Sequence, residues 1–122
     1  MRVVALDHIQ LAMPAGREAE ARAFYGTLLG IAEVPKPAEL AKRGGVWFEQ
    51  GALKVHLGVD PEFRPARKAH PALVVDDLPA VRAELKAAGH PTVDGEQAGQ
   101  AYVDDPFGNR IELLAQNRGP RR

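Results

Sequence analysis

Three histidines and one glutamate draw attention in this chain because of where strand alternation places them. His8, His56, His70 and Glu112 each sit in a short run whose apolar residues fall at every second position, the period of a strand with one buried face. Ile9 and Leu11, then Leu53, Val55 and Leu57, then Leu73 and Val75, then Ile111 and Leu113 claim the face that meets a helix. The other face therefore receives His8 with Gln10, Lys54 with His56, His70 with Ala72 and Val74, and Arg110 with Glu112 and Leu114. Imidazole nitrogens and a carboxylate oxygen on one inner face suit a divalent cation such as Zn, Ni, Mn, Co or Fe. Without a cation, burying those titratable groups costs hydration. A lone strand histidine is more often a satisfied core or surface residue; the combination with a carboxylate raises metal binding above that reading. His90, the remaining histidine, follows Gly89 and is expected in a solvent-exposed loop.

Other side chains on the same face could line a substrate pocket. Pairing across a Gln50-Gly51 turn sets Trp47 opposite Lys54, with Tyr102 as the counterpart of Trp47 later in the chain. Gln10, Trp47, Lys54, Tyr102 and Arg110 form the expected lining. Arg64 and Arg67, with Lys68 beside them, could attract an anionic group or be no more than a solvated linker.

The elements that must position these residues occur twice. Residues 3–13 alternate as a strand, residues 18–29 carry Ala21, Phe24, Tyr25, Leu28 and Leu29 at helical spacing, and Gly30 is a suitable C-cap. A short strand over 31–34 and a hairpin of 46–49 with 52–59 complete the first set. Residues 60–68 hold two prolines and three basic residues without periodicity, the composition of a linker. A strand over 71–75, a helix over 78–88 with Asp76 or Asp77 as N-cap, a short strand at 92–93 and a hairpin of 101–103 with 110–114 repeat the plan. The spacing predicts an α+β fold: two tandem βαβββ modules forming a concave mixed sheet, helices outside. The whole chain is one domain on this reading, with module one at about 3–59, module two at about 69–116 and a C-terminal tail at 117–122.

Composition narrows the partners. Sixteen Lys plus Arg balance sixteen Asp plus Glu, so nucleic acid is not expected as the main partner, since phosphate neutralisation needs a basic excess. Cysteine is absent, which excludes a disulfide scaffold, a thiolate metal site and a cysteine nucleophile. No run resembles a signal peptide or approaches membrane-span length, so a cytoplasmic protein without a membrane partner is expected.

Leu6-Asp7-His8-Ile9, Phe24-Tyr25 followed by Leu29-Gly30, and the run from Asp105-Pro106-Phe107-Gly108-Asn109 through Arg110-Ile111-Glu112-Leu113 resemble the vicinal oxygen chelate superfamily over about residues 3 to 116. That superfamily holds glyoxalase I, fosfomycin-resistance proteins, extradiol dioxygenases, methylmalonyl-CoA epimerase and bleomycin-resistance proteins. The resemblance implies a glyoxalase-like fold, a homodimer, and a small-molecule substrate whose vicinal oxygens are chelated by one divalent metal. It assigns metal ligation to His8, His56, His70 and Glu112, with Glu112 and His56 as catalytic candidates and Glu112 as a ligand or proton shuttle. Glyoxalase I-like members usually carry glutamate where this chain has His56. Three histidines and one glutamate leave a net charge of about +1 around a divalent cation, which favours an anionic substrate. The implied activity is that of a lyase or isomerase, or of a dioxygenase with ferrous iron. The alternative is a non-catalytic binding protein of the bleomycin-resistance type.

Overall fold

The computed structural model describes residues 2–117, so all but the first residue of the expected C-terminal tail lie outside the described residues. The strands are β1 (Ile9–Met13), β2 (Glu33–Val34), β3 (Val46–Gln50), β4 (Leu53–Val59), β5 (Ala72–Val75), β6 (Val93–Asp94), β7 (Gln100–Asp104) and β8 (Arg110–Ala115). The helices are α1 (Glu18–Ala21), which runs on as a π-helical stretch over Arg22–Leu28, then α2 (Ala38–Ala41) and α3 (Leu78–Ala87). They make two four-stranded mixed sheets, ordered β1-β4-β3-β2 and β5-β8-β7-β6. The identical order, with the first strand of each sheet parallel to the last, is the tandem βαβββ repeat of an α+β fold. The chain divides into two compact units, one ending at Arg64 and the other beginning at Pro65.

In the first unit Leu11, Met13, Val55, Leu57, Val46 and Phe48 are buried against Ala21, Phe24 and Tyr25. Phe24 and Tyr25 are consecutive, yet both are fully buried. The widened π turn, closed by Leu29 N–H donating to the Phe24 carbonyl, gives two neighbouring side chains room on one face. Tyr25 packs on Phe48 with ring centroids 5.7 Å apart. The second unit buries Leu78 and Leu85 of α3 against Ala101, Val103, Ile111 and Leu113. As expected from sequence, Asp77 caps α3, accepting from the Ala80 N–H at 3.1 Å.

Four sequence expectations change. Only Ile9–Met13 of the strand expected over 3–13 pairs with β4; Val3, Val4 and Leu6 are strongly exposed, because alternation alone makes no strand without a ladder partner. The hairpin turn is Gly51-Ala52, since Gln50 pairs with Leu53. Trp47 consequently stands opposite His56 and Glu49 opposite Lys54. The slip of one residue in the turn moves the pairing by two, so every side chain keeps its face. The basic stretch is also not a free linker throughout: Ala66 accepts from the Arg110 N–H at 2.8 Å and donates to Asn109 Oδ1 at 2.9 Å. A short helix, α2, lies where none was expected.

Gly45, at the start of β3, has φ +87 and lies where a Cβ would collide with the Leu57 carbonyl oxygen. Both the left-handed backbone and the contact exclude a side chain. Gly45→Ala is expected to cost about 3 kcal/mol, read as a lowered urea midpoint. A change below about 0.5 kcal/mol would show that the strand start yields easily.

Candidate functional site

Registers within the two units reveal matched positions. Gln10 pairs with His56 in one, Ala72 with Glu112 in the other. Trp47 pairs with His56, as Tyr102 does with Glu112, and Glu49 with Lys54, as Asp104 does with Arg110. His8 and His70 both stand two residues before the matched Gln10 and Ala72. The face of each sheet that bears these residues thus carries a histidine, an aromatic, a second potential ligand and an oppositely charged cross-strand pair.

In the first unit the three rings form a stack. His56 lies flat on Trp47, centroids 3.9 Å apart at 4°, with His8 at 4.5 Å and 25°. His56 is buried, and its Nε2 meets Glu49 Oε2 at 2.7 Å. His8 directs Nδ1 to Asp7 Oδ2 at 2.9 Å, the orienting contact that a metal-binding imidazole commonly makes through its other nitrogen. Hydrogen bonding from His8, then the charge of Lys54 at 3.6 Å, holds the exposed Asp7 carboxyl below its ordinary range. Gln10 lies over Gly58, where a Cβ would come within 2.6 Å of its Nε2.

The second unit holds the more telling geometry. His70 Nδ1 stands 2.8 Å from the Lys68 carbonyl oxygen, and Nε2 stands 3.1 Å from Glu112 Oε1. A carbonyl oxygen can only accept, so Nδ1 carries a hydrogen; Nε2 either donates a second ring hydrogen to the carboxylate or offers its lone pair to a cation. With a ring proton on Nε2 the contact is a His–Glu hydrogen bond; a divalent metal would instead take both atoms as ligands. Glu112 is 8% exposed, and its Oε2 accepts from Gln100 Nε2 at 3.0 Å, the same amide that reaches the Tyr102 hydroxyl at 3.2 Å. An imidazole tied to a carbonyl and a carboxylate held by an amide are donors that fit Zn, Ni, Mn, Co or Fe. Taken within either unit, no group of three or more potential ligands gathers among the described residues; the candidates come as pairs.

The second unit also holds a cavity of about 500 Å³ lined by Arg67, His90, Val93, Tyr102, Asp104 and Arg110, among others. Arg110 rests its guanidinium 4.1 Å above the Tyr102 ring. Arg67 Nη1 donates to Asp104 Oδ1 at 2.8 Å and to the Gly108 carbonyl at 2.7 Å. His90 is half-buried rather than fully exposed, its N–H donating to the Leu85 carbonyl. It lies in the loop after α3, as expected, and that loop forms part of the cavity wall. Arg64 is exposed at the end of the first unit.

The sequence profile of the glyoxalase-like domain matches residues 10–114. The chain belongs to the glyoxalase-like domain family, within the vicinal oxygen chelate superfamily. Among solved structures, a glyoxalase family protein from Bacillus anthracis is 45% identical with a TM-score of 0.87, the match covering 94% of this chain and 97% of that one. A glyoxalase/dioxygenase from Nostoc punctiforme is 23% identical at TM-score 0.73, covering 96% and 92%. The fosfomycin resistance protein FosX from Listeria monocytogenes is 17% identical at TM-score 0.71, covering 94% and 95%. The last two share the fold. No curated protein matches the chain.

For this glyoxalase-like protein, sequence reading passed over Glu49, Gln100 and Asp7. Glu49 shares a strand face with Trp47, so the same alternation that selected Trp47 could have selected it. Gln100 precedes the strand expected over 101–103, which hid its position beside Glu112.

Proposed function

We propose that the protein is a divalent-metal-dependent enzyme acting on a small, anionic, oxygen-rich substrate, as a lyase or isomerase or as a dioxygenase. The observation that carries this reading is the His70–Glu112 contact, where an imidazole Nε2, its Nδ1 already held by a carbonyl, and a carboxylate oxygen converge at 3.1 Å. His70 and Glu112 are the ligands this geometry supports; His8 and His56 are the ligands the family resemblance assigns to module one. A divalent cation held there would polarise vicinal substrate oxygens as a Lewis acid.

The chain's own groups divide the remaining work. Gln100 fixes Glu112 Oε2, which leaves Oε1 as the oxygen able to release its partner and take up a proton from substrate. Glu112 is thus the catalytic candidate of module two. His56, clamped between Trp47 and His8 with Nε2 on Glu49, is a rigid catalytic or ligand candidate in module one. Gln10, Trp47, Lys54, Tyr102, Arg110, Arg64 and Arg67 are proposed to bind substrate. Homodimer formation belongs to the same proposal, since each four-stranded sheet ends in edge strands that need cover. So does a cytoplasmic location; no helix among the described residues is long and apolar enough to cross a membrane.

A panel of vicinal-oxygen substrates, including hemithioacetals, epoxides, 2-oxo acids and catechols, offered to protein loaded in turn with each candidate metal tests the reading. Turnover that needs both metal and Glu112 is expected. Tight ligand binding without turnover under every metal would instead favour a sequestration protein.

A further inference from the structure

The cavity of the second unit contains a guanidinium on which no carboxylate rests among the described residues. Arg110 is half-buried on β8, and its cross-strand partner by register is Asp104. Asp104, however, accepts from Arg67. Arg110 instead holds its guanidinium carbon 4.1 Å over the Tyr102 ring, a contact that steadies the fork through the ring face and leaves its N–H donors for another partner. Around it, two guanidinium charges meet one carboxylate, so the residues lining the cavity carry an excess of one positive charge. The volume, about 500 Å³, lies within the usual range for a small-molecule site. Val93 pairs with Tyr102 across the β6–β7 ladder and supplies an apolar wall.

We propose that this cavity is an oxyanion subsite in which Arg110, oriented by Tyr102, grips a carboxylate or phosphoryl group of a small molecule and Arg67 adds a second, weaker charge. A planar fork matches two oxygens of such a group, which a point charge cannot do. As the anchor for the charged end of a substrate the subsite rests on the metal-enzyme reading; as an anion site it stands without it. Asp104 limits its affinity, both by engaging Arg67 and by its own charge.

Titration of the full chain with inorganic phosphate and separately with acetate, followed by amide NMR, tests the subsite and separates the two oxyanions. Arg110→Gln should weaken the preferred anion by about tenfold or more, and Arg110→Lys should restore only part of it. Asp104→Asn should tighten binding several-fold, a gain that misfolding cannot produce. Equal affinity in wild type and Arg110→Gln, or no gain in Asp104→Asn, would overturn the proposal. Repeating the titration after dialysis against EDTA distinguishes the two readings. Arg110-dependent binding that survives supports the subsite even if no metal is ever bound. Binding that needs metal and ignores Arg110 overturns the subsite while leaving the metal site standing.

Discussion

Asp105→Ala is expected to destabilise the protein by about 4 kcal/mol, the largest loss anticipated from any single polar substitution here. Asp105 and Asn109 are 4% and 0% exposed. Asp105 Oδ1 accepts from the Phe107 and Asn109 backbone N–H groups, each at 2.8 Å, and Oδ2 accepts from Asn109 Nδ2 at 2.9 Å. Alanine leaves all three donors buried without this acceptor, and each such donor costs about 1–3 kcal/mol. Asn109 Oδ1 in turn holds the Ala66 N–H, so loosening the turn also loosens the strap that enters the second unit. Asp105→Asn keeps the oxygen that serves the two backbone donors and should cost about half as much. Urea unfolding of both variants reads the difference; a loss below about 1 kcal/mol for alanine would mean that water replaces the carboxylate. The turn matters to function because it launches β8, which carries Arg110 and Glu112.

Glu112→Ala is expected to lower affinity for the divalent metal by more than about a hundredfold, exceeding the 10–100-fold typical of losing a group that only supports a ligand. It removes an oxygen donor and leaves His70 Nε2 facing an empty volume. Gln100→Leu leaves Glu112 in place and removes the amide that holds its Oε2 and also reaches Tyr102 and Gln97, so its effect should fall within that 10–100-fold range. Competition against a chromogenic chelator measures both. Similar affinities for wild type and Glu112→Ala would remove Glu112 from the ligand set, whereas a Gln100→Leu effect as large as that of Glu112→Ala would make Gln100 more than a positioning residue.

Much of the architecture was legible because it rests on local alternation and repetition. Leu11, Val55, Leu57, Ile111 and Leu113 are buried as their period implied, and the repeat showed itself as the same order of elements twice. What stayed hidden depends on contacts distant in sequence. Val3 to Asp7 alternates like a strand, but ladder pairing begins only at Ile9 with Val55. The spacing of Ala21, Phe24, Tyr25 and Leu28 fits an α or a π turn equally, and burial of adjacent Phe24 and Tyr25 decides for the wider one. Arg67 looked like a solvated linker charge because its partners, Asp104 and Gly108, lie about forty residues on and only the closed turn brings them near. At the candidate site, alternation set His56 and Glu112 on the face opposite buried apolar neighbours of their own strands, but it could not reveal hydrogen bonding. That His56 gives its Nε2 to Glu49, while His70 turns Nδ1 to a carbonyl and Nε2 to Glu112, depends on side-chain rotation.

The most direct test of the metal site is elemental analysis of purified, untagged, dialysed protein beside His70→Ala. About one equivalent of a single divalent metal per chain, lost in His70→Ala while the variant stays folded, is the expected result. A metal-free wild type that gains no thermal stability when Zn, Ni, Mn, Co or Fe is added back, or a His70→Ala variant that keeps its full equivalent, would contradict it.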